Sequence, residues 1–258
     1  MVTIVIPARF QSARFEGKPL AMLRGATGVE KSLIQRSWEA GCAVPEAARV
    51  IIATDDTRIA EHASGFGAEV MMTSANAANG TERCAEVAKG LPEAELIVNL
   101  QGDAPLTPPE FVSAVIKAMQ GVDMATPVLR ADPQTLRRLQ GDRAQGLVGG
   151  TTAVFDDTHR ALYFSKEVLP FSDSLGPEDA VFHHVGLYAY RPEALRRYAR
   201  WPMGRLERIE GLEQLRFLEN GAAVRCVEVA AKGRVFWEVN NPPDIARVEA
   251  ALAEMGMV

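Results

Sequence analysis

A short stretch rich in cationic side chains follows the first apolar segment of the chain. Arg9, Arg14 and Lys18 lie between positions 9 and 18 of a protein whose formal net charge is −5. Arginine presents several N–H donors in a fixed fork, and the hydroxyl of Ser12 can donate to a phosphate oxygen. The stretch therefore suits a polyanion such as a triphosphate, with a solvated basic loop as the alternative interpretation. It is not a P-loop, because the pattern G-x-x-x-x-G-K-[ST] is absent from it.

An acidic side chain is available at the end of another apolar segment, Leu96–Leu100. Asp103 follows that segment within the sequence Q-G-D-A-P. Mg²⁺ prefers one or two carboxylates together with phosphate oxygens and water, so Asp103 is a candidate metal ligand. The alternative is a structural aspartate in a turn. A further candidate is the sequence N-G-T at 79–81, where the exposed backbone amides of a predicted helix start could contact a nucleotide.

The elements that must position these loops are predicted from apolar segments that alternate with amphipathic ones. The predicted strands of the first part are Thr3–Ile6, Arg49–Thr54, Glu69–Met72, Leu96–Leu100 and Met124–Val128. The predicted helices are Val29–Cys42, Arg58–Phe66, Thr81–Lys89 and Pro109–Gln120. Strands this apolar are buried on both faces, which predicts an α/β fold with a predominantly parallel, doubly wound sheet flanked by helices. Ligands bind beyond the carboxyl ends of the strands in such a sheet, and both loops described above follow a strand.

The pattern is looser after about residue 131, and this part is interpreted as a smaller excursion from the sheet that forms dimer contacts. Its predicted elements are the long strands Gly146–Phe155 and Val181–Tyr190, the loop Phe171–Asp179, the helix Gly204–Asn220, the strand Ala222–Val229 and the closing helix Asp244–Met255. On one continuous helix, Glu210, Glu213 and Gln214 would share a sector of about 100°. They could then bind sugar hydroxyls, or they could form a solvated polar face.

Composition disfavours several classes of protein. The 258 residues, 47% of them apolar, suffice for a core in one large domain, and the net charge of −5 disfavours nucleic acid as a partner. Three scattered cysteines without a C-x-x-C pair argue against a disulfide scaffold and against structural zinc. The amino-terminal residues do not resemble a signal peptide, and no apolar run approaches the ~20 residues of a membrane span. We therefore expect a cytoplasmic protein without a membrane partner.

Several motifs resemble those of one family. The spacing R-x-x-S-x-R-x-x-G-K-P-L at 9–20 resembles the signature of sugar nucleotidyltransferases, which also share Q-G-D-x-P. Narrower matches are A-L-Y-F-S-K at 161–166, H-V-G-L-Y-A-Y-R at 184–191 and L-E-Q-L-R at 212–216. Together they resemble the 3-deoxy-manno-octulosonate (Kdo) cytidylyltransferase family, whose members activate 3-deoxy-2-ulosonic acids. The resemblance covers nearly the whole chain and implies a Rossmann-like nucleotide-diphospho-sugar transferase fold that is usually dimeric.

The resemblance also implies a reaction and its residues. The implied reaction is a Mg²⁺-dependent transfer from CTP to an acid sugar, with release of pyrophosphate, for surface polysaccharide or lipopolysaccharide synthesis. The implied nucleotide-binding residues are Arg9, Ser12, Arg14, Lys18, Asn79, Gly80 and Gln101, and Arg14, Lys18 and Asp103 are the implied catalytic residues. The implied sugar-binding residues are Gln101, Lys166, His184, Tyr188, Glu213 and Gln214, and the implied metal ligands are Asp103 and Asn240. We predict one domain, 1–258, with a nucleotide-binding half at 1–130 and an acceptor-sugar and dimer-contact half at 131–258, acting as a homodimer.

Departures from the family pattern leave the acceptor open. The family's H-x-S-G-T is A-A-N-G-T at 77–81, an arginine is replaced by Lys166, and the first aspartate of V-D-T-P-x-D is replaced by Asn240. Lysine lacks the bidentate fork of arginine, and an amide oxygen is a weaker ligand for Mg²⁺ than a carboxylate. Asp244 is retained, but it opens a predicted helix, where a negative charge is favourable for its own sake. The alternatives are the same chemistry on a sialic-acid-like or amino-substituted ulosonate, and a non-catalytic relative that binds nucleotide.

Overall fold

The computed structural model describes residues 1–12, 14–171, 181–233 and 238–258. Two compact units are present, one formed by residues 1–113 and 231–258 and the other by residues 114–230. In chain order the helices and strands are β1 (Val2–Ala8), β2 (Met22–Arg24), β3 (Glu30–Ser32), α1 (Leu33–Cys42), β4 (Ala47–Thr54), α2 (Thr57–Gly65), β5 (Glu69–Met72), α3 (Gly80–Lys89), β6 (Leu96–Leu100), α4 (Pro109–Lys117), β7 (Met124–Arg130), α5 (Pro133–Ala144), β8 (Thr152–Phe155), β9 (Ala161–Ser165), β10 (Phe182–His184), β11 (Leu187–Tyr190), α6 (Pro192–Tyr198), α7 (Arg205–Glu210), α8 (Leu215–Glu219), β12 (Val224–Val229) and α9 (Asp244–Glu254). The predicted loop Phe171–Asp179 lies, apart from Phe171, outside the described residues.

Parallel strands form the sheet of the first unit. Their order is β5-β4-β1-β6, and each neighbouring pair is parallel. In the central strand β1 the residues Ile4, Val5 and Ile6 are fully buried, as expected of a strand covered on both faces. The predicted α/β class with parallel strands flanked by helices is therefore confirmed. The loops that follow β1 and β6 leave the sheet from the same edge, because both strands run in the same direction.

The carboxyl-terminal segment of the first unit packs into a separate apolar cluster. Val239, Val248 and Leu252 are fully buried there against Leu23 and Leu33. Val248 and Leu252 lie on α9, four residues apart, and so face the same side of that helix. This packing fixes the position of the segment that contains Asn240.

The second unit has mixed pairing around β7. Strands β10 and β11 both pair antiparallel to β7, whereas β12 pairs parallel to it. Strand β8 pairs antiparallel to both β10 and β9. The looser sequence pattern of this half therefore corresponds to shorter strands in a mixed arrangement.

The predicted single helix Gly204–Asn220 is wrong. The structure has two short helices, α7 and α8, and α7 is terminated by the residue that follows it, Gly211, whose φ of 63° is left-handed. Glycine adopts this conformation without the steric cost of a Cβ atom, so it ends helices readily. Glu210 is therefore the last residue of α7, whereas Glu213 and Gln214 lie in the turn before α8, and the argument that these three residues share one helical sector fails.

Several predicted boundaries also change. The expected strand Gly146–Phe155 is reduced to β8, and the expected strand Val181–Tyr190 is divided into β10 and β11. The start of the predicted helix Val29–Cys42 is β3, which pairs with β2 in a small antiparallel sheet. Helix α5 was not predicted, because Leu139 is its buried residue and its other side chains show little helical periodicity. None of the described helices combines the length and the apolar character that a membrane crossing requires.

Candidate active site

The loop after β1 is folded back on itself by Gly17. Gly17 has a φ of 68°, and its N–H donates to the carbonyl oxygen of Phe10 at 2.9 Å. A Cβ atom on Gly17 would lie 3.1 Å from the Phe10 ring, so the ring covers the glycine closely. The guanidinium of Arg58 lies 3.3 Å from the centroid of the same ring. These contacts hold the turn from which Lys18 projects.

Lys18 forms an ion pair with Asp103. Its Nζ lies 2.6 Å from Oδ2 of Asp103, and the two side chains are 15% and 25% exposed. Gly102 makes this approach possible, since a Cβ atom there would come within 2.8 Å of the carbonyl oxygen of Pro7. The loop after β6 can therefore lie directly against the end of β1 only with glycine at this position. The predicted association of the cationic loop with Asp103 is present in the structure.

Residues 238–240 complete this cluster. The N–H of Val239 donates to the carbonyl oxygen of Asp103 at 2.9 Å, while its side chain is buried in the apolar cluster. Nη2 of Arg14 donates to Oδ1 of Asn240 at 3.0 Å. Asp244 accepts from the backbone N–H groups of both Asn240 and Asn241, at 3.0 Å and 2.7 Å. Asp244 thus has the structural role at a helix start that its position in the sequence indicated.

Glu238 belongs to the cluster and was missed by the sequence analysis. Burial raises the pKa of its carboxyl group, and the negative charge of Asp103 raises it further. A hydrogen bond with the side chain of Asn240 and the positive charges of Lys18 and Arg14 act in the opposite direction. The available signal was the spacing of Glu238 and Asn240 on either side of an apolar valine. The motif V-D-T-P-x-D begins at Val239 and therefore does not include Glu238.

The amino terminus of α3 lies close to a buried polar side chain. Oδ1 of Asn79 accepts from the N–H of Glu82 at 2.8 Å, and the Glu82 carboxylate accepts from the N–H of Ala78 at 2.8 Å. A Cβ atom on Gly80 would lie 3.0 Å from Nδ2 of Asn99. Among the described residues, neither side-chain polar atom of the buried Asn99 has a hydrogen-bond partner. The Asn79 side chain therefore serves as a helix cap, which leaves the predicted nucleotide contacts of this segment to its backbone.

The remaining predicted nucleotide-binding residues of the loops after β1 and β6 are Arg9, Ser12 and Gln101. Arg9 is exposed immediately after β1, and Ser12 and Gln101 are half-buried in the loops that follow β1 and β6. Their roles remain predictions. The cluster that the structure brings together consists of Lys18, Asp103, Arg14, Asn240 and Glu238.

In the second unit, Lys166 lies beside a well-bound carboxylate. Glu210 accepts from the hydroxyl of Ser165 at 2.7 Å and from the backbone N–H of Lys166 at 3.0 Å. A Cβ atom on Gly211 would lie 3.1 Å from Nζ of Lys166. The end of α7 and the end of β9 are therefore joined around one ammonium and one carboxylate.

His184, Tyr188 and Gln214 are buried in a second polar group of this unit. Nε2 of His184 lies 2.9 Å from Oγ1 of Thr126, and the hydroxyl of Tyr188 donates to Oε1 of Gln214 at 3.4 Å. Burial, and then the charge of His183, lowers the pKa of His184 to about 3, so its ring is neutral. Within the described part of the chain, Nε2 of Gln214 is a buried donor that lacks an acceptor. A ligand hydroxyl or carboxylate would satisfy that donor, whereas the enclosure of His184 favours a structural role for it.

Comparison with known proteins identifies the family, because the sequence model of the cytidylyltransferase family matches residues 3–228 of the chain. The chain belongs to the cytidylyltransferase family. It is 41% identical to the 3-deoxy-manno-octulosonate cytidylyltransferase of Maricaulis maris, over 99% of this chain and 98% of that protein. It is 36% identical to the 8-amino-3,8-dideoxy-manno-octulosonate cytidylyltransferase of Shewanella pealeana, over 97% and 98% of the two chains.

A solved structure supports the same assignment for this cytidylyltransferase. The structure of CMP:2-keto-3-deoxy-manno-octonic acid synthetase complexed with CTP superposes with a TM-score of 0.85 at 31% identity, covering 98% of this chain and 99% of that one. The predicted resemblance, the nucleotidyltransferase activity and the nucleotide-diphospho-sugar transferase fold are therefore confirmed. The assignment of roles to individual residues stays a prediction.

The donor set of this cytidylyltransferase is suited to a hard divalent cation. Asp103 and Glu238 offer carboxylate oxygens, and Asn240 offers an amide oxygen in the same cluster. Among the described residues, no group of three or more His, Cys, Asp and Glu side chains converges as a metal site would require. Mg²⁺ commonly needs only one or two protein carboxylates because phosphates and water complete its shell. The residues present therefore fit Mg²⁺ bound together with a nucleotide.

Proposed function

We propose that this protein transfers the cytidylyl group of CTP to Kdo, giving CMP-Kdo and pyrophosphate. The observation that carries the proposal is the convergence of Lys18, Arg14 and Asp103 after β1 and β6, in a chain alignable end to end with Kdo cytidylyltransferases. In this reaction the anomeric hydroxyl oxygen of the sugar bonds to the α-phosphorus of CTP. The bond from that phosphorus to the oxygen bridging to the β-phosphate breaks, and the hydroxyl proton passes to solvent.

The cationic loop would supply charge neutralisation. Lys18 is held beside Asp103 and Arg14 beside Asn240, so both cations are in place before the nucleotide binds. Together with the exposed Arg9 they would bind the triphosphate and stabilise the charge that develops on the leaving pyrophosphate. Phosphoryl transfer depends mainly on such positioning and electrostatic stabilisation, since little covalent chemistry falls to the protein.

A magnesium ion would be held by Asp103 and Asn240, and its positive charge would lower the pKa of the attacking hydroxyl and neutralise phosphate charge. The ion pair of Lys18 with Asp103 orients that carboxylate at 2.6 Å. The hydrogen bond from Arg14 orients the Asn240 amide with its oxygen toward the cationic side chains.

The acceptor would be bound by side chains of the second unit. Lys166 provides a positive charge for the sugar carboxylate, and Gln214 provides a buried donor for a sugar oxygen. Glu213 and Tyr188 would add further polar contacts near Gln214. A second candidate acceptor is an 8-amino-substituted octulosonate, because a relative bearing that name is 36% identical to this chain and Lys166 departs from the arginine of the Kdo pattern.

Pyrophosphate release tests the proposal directly. The assay combines each of four nucleoside triphosphates with Kdo, 8-amino-3,8-dideoxy-Kdo and a sialic acid, in the presence of Mg²⁺. We expect release with CTP and Kdo, and loss of release when EDTA removes the metal. If turnover occurs only with the amino sugar, that sugar is the acceptor instead of Kdo. If no combination of triphosphate and sugar releases pyrophosphate, the non-catalytic alternative is favoured.

The protein is also proposed to act in the cytoplasm as a homodimer in lipopolysaccharide synthesis. Exposed apolar side chains in the second unit support self-association, with Leu162 on β9 56% exposed and Ile209 on α7 68% exposed. Light scattering coupled to size-exclusion chromatography should give twice the 28.0 kDa chain mass. A mass of one chain at working concentrations would contradict the dimer.

A further inference from the structure

Glu238 is an acidic side chain for which the family motifs give no role, although it lies in the cluster around Asp103. We propose that Glu238 is a protein ligand of the divalent cation, and that it supplies with Asp103 the second carboxylate that position 240 does not provide. The inference rests on the proposed function, because the cation is the one required for transfer from CTP.

The backbone places Glu238 next to Asp103. The N–H of Val239 donates to the carbonyl oxygen of Asp103 at 2.9 Å, so residues 238–240 run directly alongside the loop that follows β6. The Val239 side chain is fully buried in the apolar cluster and fixes this segment from the other side. Glu238 and Asn240 hydrogen-bond to each other through their side chains, which shows that both project to the same side of the segment.

The charges around Glu238 match a cation site. Asp103 is close enough to act on Glu238 as a like charge, and Lys18 and Arg14 are close enough to act as compensating positive charges. Nζ of Lys18 occupies a position 2.6 Å from a carboxylate oxygen, where a cation is evidently favourable. Two carboxylates that repel each other in a partly enclosed place are stabilised by a divalent ion between them. Mg²⁺ is commonly bound by one or two protein carboxylates, so this pair suits it.

The arrangement also explains why position 240 tolerates a neutral amide. The amide of Asn240 does two things that a carboxylate could not do together: it accepts from Arg14 and donates to the Glu238 carboxylate. The acidic group at position 238 keeps the number of carboxylates at two when the group at 240 is neutral. A competing explanation is that Glu238 only orients Asn240 and never contacts the metal.

Direct titration with Mn²⁺ distinguishes these explanations. Metal-free protein is titrated with Mn²⁺ alone, and the free ion is measured by its EPR signal. The proteins compared are the wild type, Glu238→Gln, the double variant Glu238→Gln/Asn240→Asp, and Glu254→Gln as a matched control on the exposed end of α9. We expect Glu238→Gln to weaken Mn²⁺ binding by more than about 100-fold, because loss of a group that only orients a ligand costs about 10–100-fold in metal affinity.

The double variant gives the decisive comparison. If the carboxylate matters as a ligand, returning one to position 240 restores Mn²⁺ affinity to within about threefold of the wild type, a difference under about 0.7 kcal/mol. A loss smaller than about 100-fold in Glu238→Gln, which an orienting role would give, would overturn the proposal. Absence of recovery in the double variant, or absence of Mn²⁺ binding by the wild type, would overturn it as well. Circular dichroism of all variants verifies folding.

The same proteins separate this proposal from the proposed function. Wild-type protein that binds Mn²⁺ through Glu238 but releases no pyrophosphate from CTP and Kdo would refute the function and leave the ligand assignment standing. If the wild-type protein turns over CTP and Kdo while Glu238→Gln keeps full Mn²⁺ affinity, the proposed function stands and the assignment of Glu238 as a ligand is refuted.

Discussion

At the scale of single residues, the pair formed by Lys18 and Asp103 is better explained by ligand binding than by stability. Exposed ion pairs contribute about 0–1 kcal/mol, and enclosing the charges adds a desolvation cost that their attraction only partly offsets. These two side chains are 15% and 25% exposed, so the pair has lost much of its water for a modest gain. Each side chain is held in a defined position from which a metal and a phosphate could be bound.

Replacement of Lys18 should therefore impair catalysis more than folding. We expect Lys18→Ala to lower kcat/KM for CTP on the order of 10²-fold, the usual effect of losing one preorganised transition-state donor. Steady-state pyrophosphate release provides the measurement. The matched control is Lys31→Ala, because Lys31 also pairs with a carboxylate, that of Glu39 at 2.9 Å, and Glu39 lies outside the cluster. A rate close to that of the wild type in Lys18→Ala would remove this residue from the phosphate-binding group.

Replacement of Asp103 should abolish turnover and leave the fold intact. The substitution Asp103→Asn keeps the backbone carbonyl that accepts from Val239, so the loop retains its anchor. The loss of the carboxylate proposed to bind the metal should reduce kcat by about 10³-fold or more, at the upper end of the effect of a single electrostatic group. The exposed Asp157→Asn serves as the control for the chemical change. Activity within a few-fold of the wild type, with an unchanged thermal midpoint, would contradict the metal role.

Glu238 shows where sequence reasoning about single residues stops. Lys18, Arg14 and Asp103 could be predicted from charge and from their positions after strands, and the structure brings them together. Glu238 could not be found in this way, because its partner Asp103 is far away in the sequence and the contact depends on a backbone hydrogen bond from Val239. His184 is the opposite case, since a motif suggested a ligand-binding role and the structure shows an enclosed ring bonded to Thr126.

At the scale of elements, apolar periodicity predicts the parallel strands well and the second unit poorly. Strand β6 coincides with its prediction, because a continuous apolar run bounded by polar residues has one reasonable interpretation. The sequence of α7 and α8 favours one continuous helix except at Gly211, and this single glycine divides the region into two helices. Gly211 was available as a signal, but a glycine inside a helical pattern is often tolerated. The left-handed φ of 63° depends on the contacts of this segment, which the sequence alone does not show.

The helix break at Gly211 leads to a stability prediction. Gly211→Ala forces a Cβ atom into a left-handed conformation and within 3.1 Å of Nζ of Lys166. We expect a loss of about 1–2 kcal/mol in the free energy of unfolding, the cost of a left-handed conformation for an ordinary residue. Gly141→Ala is the matched control, because Gly141 lies within α5 with open space around its Cα, where alanine should stabilise by about 0.4–1 kcal/mol. Urea unfolding measures both variants, and equal effects of the two substitutions would contradict the role of Gly211 as a helix terminator.

At the scale of the whole molecule, the candidate metal site depends on the discontinuous composition of the first unit. That unit consists of residues 1–113 and 231–258. Glu238 and Asn240 therefore belong to the same unit as Asp103, although the residues of the second unit separate them in the sequence. The fold class could be predicted without knowledge of this return, because local apolar segments determine the strands. The set of residues that make up the site could not be predicted in this way, since it depends on which distant segments belong to the same unit.

Buried histidines in the second unit should make the stability of the molecule depend on pH in a defined range. Burial lowers the pKa of His183 from 6.5 to about 4, with a further contribution from Arg138. Burial and the charge of His183 lower the pKa of His184 from 6.5 to about 3. Below pH 6.5 the unfolded chain therefore binds protons that the folded chain excludes, and stability falls as the pH decreases toward 4. Each such group contributes a slope of about 1.4 kcal/mol per pH unit once the unfolded form is fully protonated.

The substitution His184→Gln isolates this contribution. Glutamine keeps a polar side chain at this position but does not titrate, so the variant should lose about 2 kcal/mol less than the wild type between pH 6.5 and pH 4.5. The raised pKa of Glu238 acts in the opposite direction, favouring the folded state as the pH falls, but Glu238 is present in both proteins and cancels from the difference. Urea unfolding at several pH values measures the slopes, with His159→Gln, at an exposed histidine, as the matched control for the chemical change. Parallel curves for wild type and His184→Gln would mean that the folded protein admits a proton to His184, which would contradict the enclosure of its ring against Thr126.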